Sequence, residues 1–250
     1  HWIKQQAPTS HVIFLGKGYT KSVVEAYIDV DQFEDWAEYV DTDAATQLNW
    51  MRSLKADVIV HVFPNKELAS LAKKAKISRR IGTSHRLYHL LTCTDRVNFT
   101  RKNSDLHESQ LNFELLRPLG LTEIPKLDAI IKATETFQPQ KETLPEPFET
   151  LENYVILHPK SQGSAREWPM EKYVGLAERL TESGRTVVFT GTENEGLLFR
   201  DQLPENDKIL DSTGKLSLQQ LITLIGQSNG LIACSTGPLH IAGYSGITAV

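Results

Sequence analysis

The chain of 250 residues is 40% hydrophobic and 23% charged, with a formal net charge of -4. That size holds one large α/β domain or two modest ones, each with its own core, and the acidic balance argues against a dedicated nucleic-acid binder. Cys93 and Cys234 fit neither a disulfide framework nor a metal-ligand spacing, no apolar run approaches the roughly 20 residues of a membrane span, and no signal peptide opens the chain. The expectation is a soluble protein of a reducing, cytoplasmic compartment.

In chain order, "HVIFLG" (11–16) and "ADVIVHVFP" (56–64) are apolar runs stopped by glycine and proline, which predicts two buried strands. Between them, "DAATQLNWMRSLK" carries Leu48, Met51 and Leu54 at helical spacing. A further helix, "NKELASLAKKAK", has Asn65 as its N-cap and lysines in its last turn. A short strand follows at "RRIG". The helix "SDLHESQLNFELLRPLG" should end at Pro118 and Gly120. Residues 121–153 have the composition of a linker, so domains are expected at 1–150 and 151–250.

The pattern then restarts with strand "YVILHP", helix "MEKYVGLAERLTESG", strand "TVVFTG", a helix around "EGLLFRDQL", the short segment "KILDSTG", helix "SLQQLITLIGQSN" with Ser217 as its N-cap, strand "GLIACS" and helix "PLHIAGYSG". Such βα repeats predict a doubly wound parallel sheet. Neither His1–Ile3 nor Thr248–Val250 reads as a natural end, the latter looking like the start of a buried strand. Both ends are expected to be incomplete.

Four loops leave the carboxyl ends of strands in 151–250, where open α/β sheets bind ligands. In "ACSTGPLHIAG", Ser235, Thr236 and Gly237 precede a helix with Pro238 at its first position and His240 in its first turn. Two readings stay open, a capped helix or an anion site at the helix N-terminus. In "HPKSQGSAREWP", Lys160 and Arg166 can neutralise a phosphate, with Ser161 and Ser164 as short-range donors; the alternative is a solvated loop anchored by Trp168. In "FTGTENEG", Glu193 or Glu195 can accept from ribose hydroxyls or simply complement the helix dipole. Gly214 in "LDSTGKLS" can let the backbone pass close to a base or ribose. The front half is basic: Lys73, Lys74, Arg79, Arg80 and Arg86, with His85 beside them, form either a solvated face or the receiving side for an anionic partner or a membrane surface.

These segments carry a resemblance. "ILHPKSQGSAREWPMEKYVGLAERL", "VVFTGTENE" and "STGKLSLQQLITLIGQSNGLIACSTGPLHIA" resemble the C-terminal domain of the bacterial lipopolysaccharide heptosyltransferase family, glycosyltransferase family 9. "ADVIVHVFPNKELASLAKKAKISRRIG" and "HESQLNFELLRPLG" are similar, less specifically, to its N-terminal domain. The resemblance implies a GT-B fold, two Rossmann-like domains facing a cleft, and an inverting transfer of heptose or a related sugar from a nucleoside-diphosphate sugar, ADP-heptose first, to an anionic saccharide-lipid acceptor. No cofactor and no metal are implied.

Carried over by position, the resemblance gives Arg166 a contact with the donor diphosphate and maps the acidic position of the third loop to Glu195 or Glu193. Ser235 stands where the family has aspartate, ahead of Thr236, Gly237 and His240. The family's general base, an aspartate after the first strand, is expected before His1. A nucleotide-sugar epimerase and a non-catalytic nucleotide-sugar binding protein are the alternatives.

Overall fold

The computed structural model of the chain describes residues 1–100, 102, 104–163 and 165–250. It divides into two compact units, a larger one of 1–34 and 134–250 and a smaller one of 35–133. The sequence division at residue 150 places 1–34 and 134–150 with the front half. In the structure Ala26, Phe137, Leu144 and Phe148 share a core with Tyr154, Ile156 and Leu231. Among the prolines and charges of a linker-like segment, a few apolar side chains suffice to bind it to the later strands.

Strands β1 (Ile13–Gly16) and β2 (Gln32–Asp35) form a two-stranded sheet. The smaller unit holds β3 (Val58–Val60), β4 (Arg79–Thr83) and β5 (Asp95–Val97), all parallel, with Val58 opposite Arg79 and Ile81 opposite Asp95. Two of its longer helices begin where the sequence supplies caps. The Asp43 carboxylate accepts from the Ala45 and Thr46 amides before helix Ala44–Ser53, and the Asn65 side chain accepts from the Leu68 amide before helix Lys66–Lys74. The single helix expected over 104–120 is instead a helix Glu108–Phe113 followed by a 3-10 segment Glu114–Leu119, closed by Gly120 at φ 101°. Pro118 offers no amide and clashes with the carbonyl four residues back, so the last turns tighten before the glycine ends them.

In the larger unit β6 (Tyr154–His158), β7 (Thr186–Phe189), β8 (Ile209–Asp211) and β9 (Gly230–Ala233) are parallel in the order β8-β7-β6-β9. Residue 249 bridges to Leu231 in parallel beyond β9. Numbered from β6, the order of the four strands is 3-2-1-4, which steps outward in one direction and then returns to the other side of β6, as in a doubly wound sheet. Alternation along β6 explains why it reads as an unbroken apolar run. Tyr154 and Ile156 enter the core beneath helices Leu218–Gln227 and Gly237–Tyr244, while Val155 and Leu157 enter the core beneath helix Met170–Glu182. The helix expected around 195–203 shortens to Glu193–Gly196 and a 3-10 turn Arg200–Gln202. Between them Phe199 leaves helical geometry to pack against Phe189, ring centres 5.9 Å apart.

Candidate functional site

The strand order reverses between β6 and β9, the point at which an open α/β sheet leaves a crevice outside its carboxyl ends. His158 is in register with Ala233, so the chain leaves the two strands about 4.8 Å apart, the spacing of neighbouring strands. From those points start the loops 159–169 and 234–236, which carry Lys160, Ser161, Ser164, Arg166, Ser235 and Thr236. Their roots are tied together. The Cys234 thiol donates to the Pro159 carbonyl at 3.5 Å, and the His158 imidazole shares a 2.9 Å hydrogen bond with the Thr190 hydroxyl at the end of β7. Burial holds His158 below the ordinary histidine pKa, so it is a neutral strut between strands.

Within the loop after β6, a residue that the sequence reading did not single out, Glu167, organises the others. One carboxylate oxygen accepts from the Ser161 amide at 2.9 Å and the Ser161 hydroxyl at 3.0 Å, and the other accepts from Lys160 Nζ at 3.0 Å. Lys160 and its shared hydrogen bond hold the Glu167 carboxyl below the ordinary glutamate range, with the Ser161 bonds adding to this against partial burial. Lys160 and Ser161 are thus turned toward the protein, and Ser161 is buried. Ser164 lies outside the described residues. Arg166 is exposed and, among the described residues, makes no hydrogen bond or ion pair, so its guanidinium is the uncommitted cation of the loop. Trp168 packs edge-on against Tyr173, ring centres 5.2 Å apart, and anchors the start of the following helix. A lysine and a glutamate seven residues apart in one short loop were the signal for this pairing.

A hollow of about 490 Å³ opens beside this loop, lined by Lys160, Gln162, Gly163 and Glu167 on one side and by Thr192, Asn194, Glu195 and Leu198 on the other. The sequence candidates Lys160 and Glu195 therefore meet across one cavity. Glu195 is buried and its carboxylate accepts from the Thr192 amide at 2.7 Å and hydroxyl at 2.9 Å, closing a capping box. Glu193 takes a bidentate pair from Arg200 at 3.0 and 2.9 Å. Arg200 also donates to Asp211 at 2.6 Å and to the Thr213 hydroxyl at 2.8 Å, which locks the loops after β7 and β8 together. Gly214, at φ 72°, lies where an added Cβ would stand 2.8 Å from the Glu193 Cβ. In this structure the neighbour that demands glycine at 214 is Glu193.

On the other side of β6, Thr236 is the N-cap of helix Gly237–Tyr244, but its hydroxyl donates back to the Cys234 carbonyl at 3.2 Å and caps no amide. Gly237 is the first helical residue, so Pro238 stands one place later than expected, still where a missing N–H removes no helical bond. The first-turn amides of Gly237 and Leu239 have no acceptor within the helix. A Cβ on Gly237 would meet nothing within 4 Å, so the space beside this first helical residue is open. Ser235 and His240 are exposed beside it. A helix N-terminus with an uncapped first turn, whose Gly237 and Leu239 amides meet no acceptor among the described residues, is equipped to hold an anion, and the loop that carries Arg166 starts from the neighbouring strand.

The basic candidates of the smaller unit do not converge. Arg79 pairs with Asp95 at 3.2 Å and donates to the Pro118 carbonyl, while Arg80 donates to the Thr92 carbonyl at 2.7 Å and to the Ile77 carbonyl. Both sit at the amino end of β4, whereas His85 and Arg86 follow its carboxyl end, on the order of 15 Å away by strand rise. Lys73 and Lys74 are exposed in the last turn of helix Lys66–Lys74. Among the described residues no group of three or more His, Cys, Asp or Glu is placed to hold a metal ion, and no helix is long and apolar enough to cross a membrane.

Comparison with known proteins gives the following. A family model described as glycosyltransferase family 9 (heptosyltransferase) matches residues 51–244. No curated protein matches the chain in sequence. Among solved structures, a glycosyl transferase family 9 protein from Veillonella parvula DSM 2008 is similar at TM-score 0.73 and 18% identity, covering 99% of this chain and 72% of that one. E. coli heptosyltransferase WaaC with ADP is similar at TM-score 0.74 and 13% identity, covering 99% and 78%. E. coli ADP-heptose lps heptosyltransferase II is similar at TM-score 0.67 and 15% identity, covering 99% and 76%. At these identities the likeness establishes a shared GT-B-like α/β fold.

Proposed function

The chain belongs to glycosyltransferase family 9, and from that premise we propose that it transfers heptose or a related sugar from a nucleoside-diphosphate donor, ADP-heptose first, to a hydroxyl of an anionic saccharide-lipid acceptor of the lipopolysaccharide-core type. The observation that carries this reading is the register of His158 with Ala233, which puts the Arg166 loop and the open helix N-terminus at Gly237 on either side of the switch point of one sheet. A diphosphate in that crevice meets a guanidinium and two free amides without disturbing an existing ion pair.

In the proposed reaction the acceptor oxygen attacks the anomeric carbon as its bond to the diphosphate oxygen breaks, which inverts the configuration. Negative charge develops on the leaving diphosphate, and Arg166 with the helix N-terminus stabilises it. Lys160 acts at one remove, holding Glu167 and through it the shape of the loop. The hollow between Lys160 and Glu195 offers room for the sugar or ribose of the donor. The acceptor proton is assigned to none of the residues described above. His85 and Arg86, exposed beyond β4, are the acceptor-side groups this reading favours over Arg79 and Arg80, which the protein itself occupies. A lipid-borne acceptor places the work in the cytoplasm, at the inner face of the cytoplasmic membrane.

The test is incubation of the full-length protein with a radiolabelled nucleoside-diphosphate sugar and a saccharide-lipid acceptor. Label should pass to the lipid fraction. Label recovered in an epimerised nucleotide sugar, or donor binding without turnover, contradicts the reading.

A further inference from the structure

Helix Leu87–Thr92 turns a leucine face outward. Leu87 is 84% exposed, Leu91 is 75% exposed and Leu90 is half exposed. Spacings of three and four residues put them on one side. The other side is buried: His89 is fully enclosed, shares a 2.9 Å hydrogen bond with the Thr83 carbonyl, and lies 5.4 Å ring to ring from His61. That contact fixes the loop after β3 beside the helix. The next residues of the loop, Val62 and Phe63, are exposed, Phe63 to 90%. The helix and loop thus present five large apolar side chains to solvent from adjoining segments of the smaller unit.

Cations stand at both ends of this helix. Between His61 and Arg96 the chain has eight lysines and arginines against two acids, Glu67 and Asp95, although the whole chain is at -4. Asp95 is already taken by Arg79. Lys73 Nζ donates to the Leu91 carbonyl at 2.7 Å and Arg80 Nε to the Thr92 carbonyl at 2.7 Å, so two positive charges sit at the end of the leucine helix. Exposed Arg86 immediately precedes Leu87 at its start.

We infer that this face, helix Leu87–Thr92 with Val62 and Phe63, docks the protein on an anionic lipid bilayer. Leucine and phenylalanine enter the boundary between headgroups and acyl chains, and the flanking cations meet lipid phosphates. A nucleic acid would satisfy the cations but offers nothing to five apolar side chains. The inference rests on the proposed lipid-borne acceptor and adds the surface that meets the bilayer; it shares Arg86 with the acceptor side of that reading and uses none of the donor-site residues.

The experiment is flotation of the full-length protein with vesicles of phosphatidylcholine alone and of phosphatidylcholine mixed with phosphatidylglycerol. The protein should float with the mixed vesicles and much less with the neutral ones. The double variant Leu87→Ser, Leu91→Ser should partition at least about tenfold less, because each leucine withdrawn from the interface forfeits apolar burial. Its thermal midpoint and ADP affinity should match wild type. As a second probe, Phe63→Trp should shift its fluorescence to the blue on adding anionic vesicles. Wild-type protein that stays in the aqueous fraction with anionic vesicles, a double variant that floats like wild type, or a tryptophan at 63 whose emission does not move would each overturn the inference. ADP titration of the same preparations reads the donor site separately, so a failure there is told apart from a failure of docking.

Discussion

Arg166→Ala should separate ligand binding from stability. The guanidinium is exposed and bonds to no described protein group, so its removal leaves no partner stranded. Unfolding free energy should stay within about 0.5 kcal/mol of wild type, as for other surface substitutions. A charge-assisted contact with a diphosphate is worth roughly 1.5–3 kcal/mol, and exposure to water favours the lower end. ADP affinity should therefore fall about tenfold, the equivalent of roughly 1.4 kcal/mol. Lys160→Ala supplies the contrast. It removes the 3.0 Å partner of Glu167, whose carboxylate also fixes Ser161, so affinity and thermal midpoint should fall together. Titration calorimetry with ADP, with melting curves on the same samples, distinguishes the two patterns. An Arg166→Ala protein whose ADP affinity stays within about twofold of wild type refutes the reasoning.

Other outcomes follow from the same geometry. Thr236→Ala should change unfolding free energy by no more than about 0.5 kcal/mol, because the hydroxyl bonds to the Cys234 carbonyl and caps no amide, yet it should weaken ADP binding; a stability loss with unchanged affinity would reverse that assignment. Gly214→Ala should destabilise by about 1–3 kcal/mol, since φ 72° and the Glu193 backbone 3.1 Å away both exclude a side chain; an unshifted melting midpoint argues against it. Because the Glu167 carboxyl is held below its ordinary value of 4.5, its contribution to stability is complete above that pH and is lost as pH falls through the lower folded-state value. Chemical denaturation across that acid range should show a shallower decline for Glu167→Gln than for wild type; equal slopes would exclude the Glu167 network as the source.

Much of the larger unit was legible because its strands are buried on both faces, which leaves unbroken apolar runs such as 154–157, and because helix Leu218–Gln227 starts at a residue able to cap it. Ser217 caps it in a reciprocal box with Gln220, and in the smaller unit Asn65 does the same duty alone. What escaped the sequence depends on the path of the chain between elements. Glu167 becomes the hub of its loop only when it is brought back against Lys160 and Ser161. Arg200 joins Glu193 to Asp211 across two loops that are distant in sequence. Phe137 and Phe148 sit among charges and prolines, where periodicity gives no sign that they belong to the later core. The basic front half looked like a single patch because composition carries no direction. Strand β4 divides it, with Arg79 and Arg80 at one end and His85 and Arg86 beyond the other.

The central claim is that a nucleoside diphosphate binds at the switch point between β6 and β9. A crystal structure of the full-length protein with a nucleoside-diphosphate sugar tests it most directly. The account predicts diphosphate oxygens within hydrogen-bond distance, about 3 Å, of the Gly237 and Leu239 amides and of the Arg166 guanidinium. A diphosphate seated away from both the 159–169 loop and the start of helix Gly237–Tyr244 would contradict it.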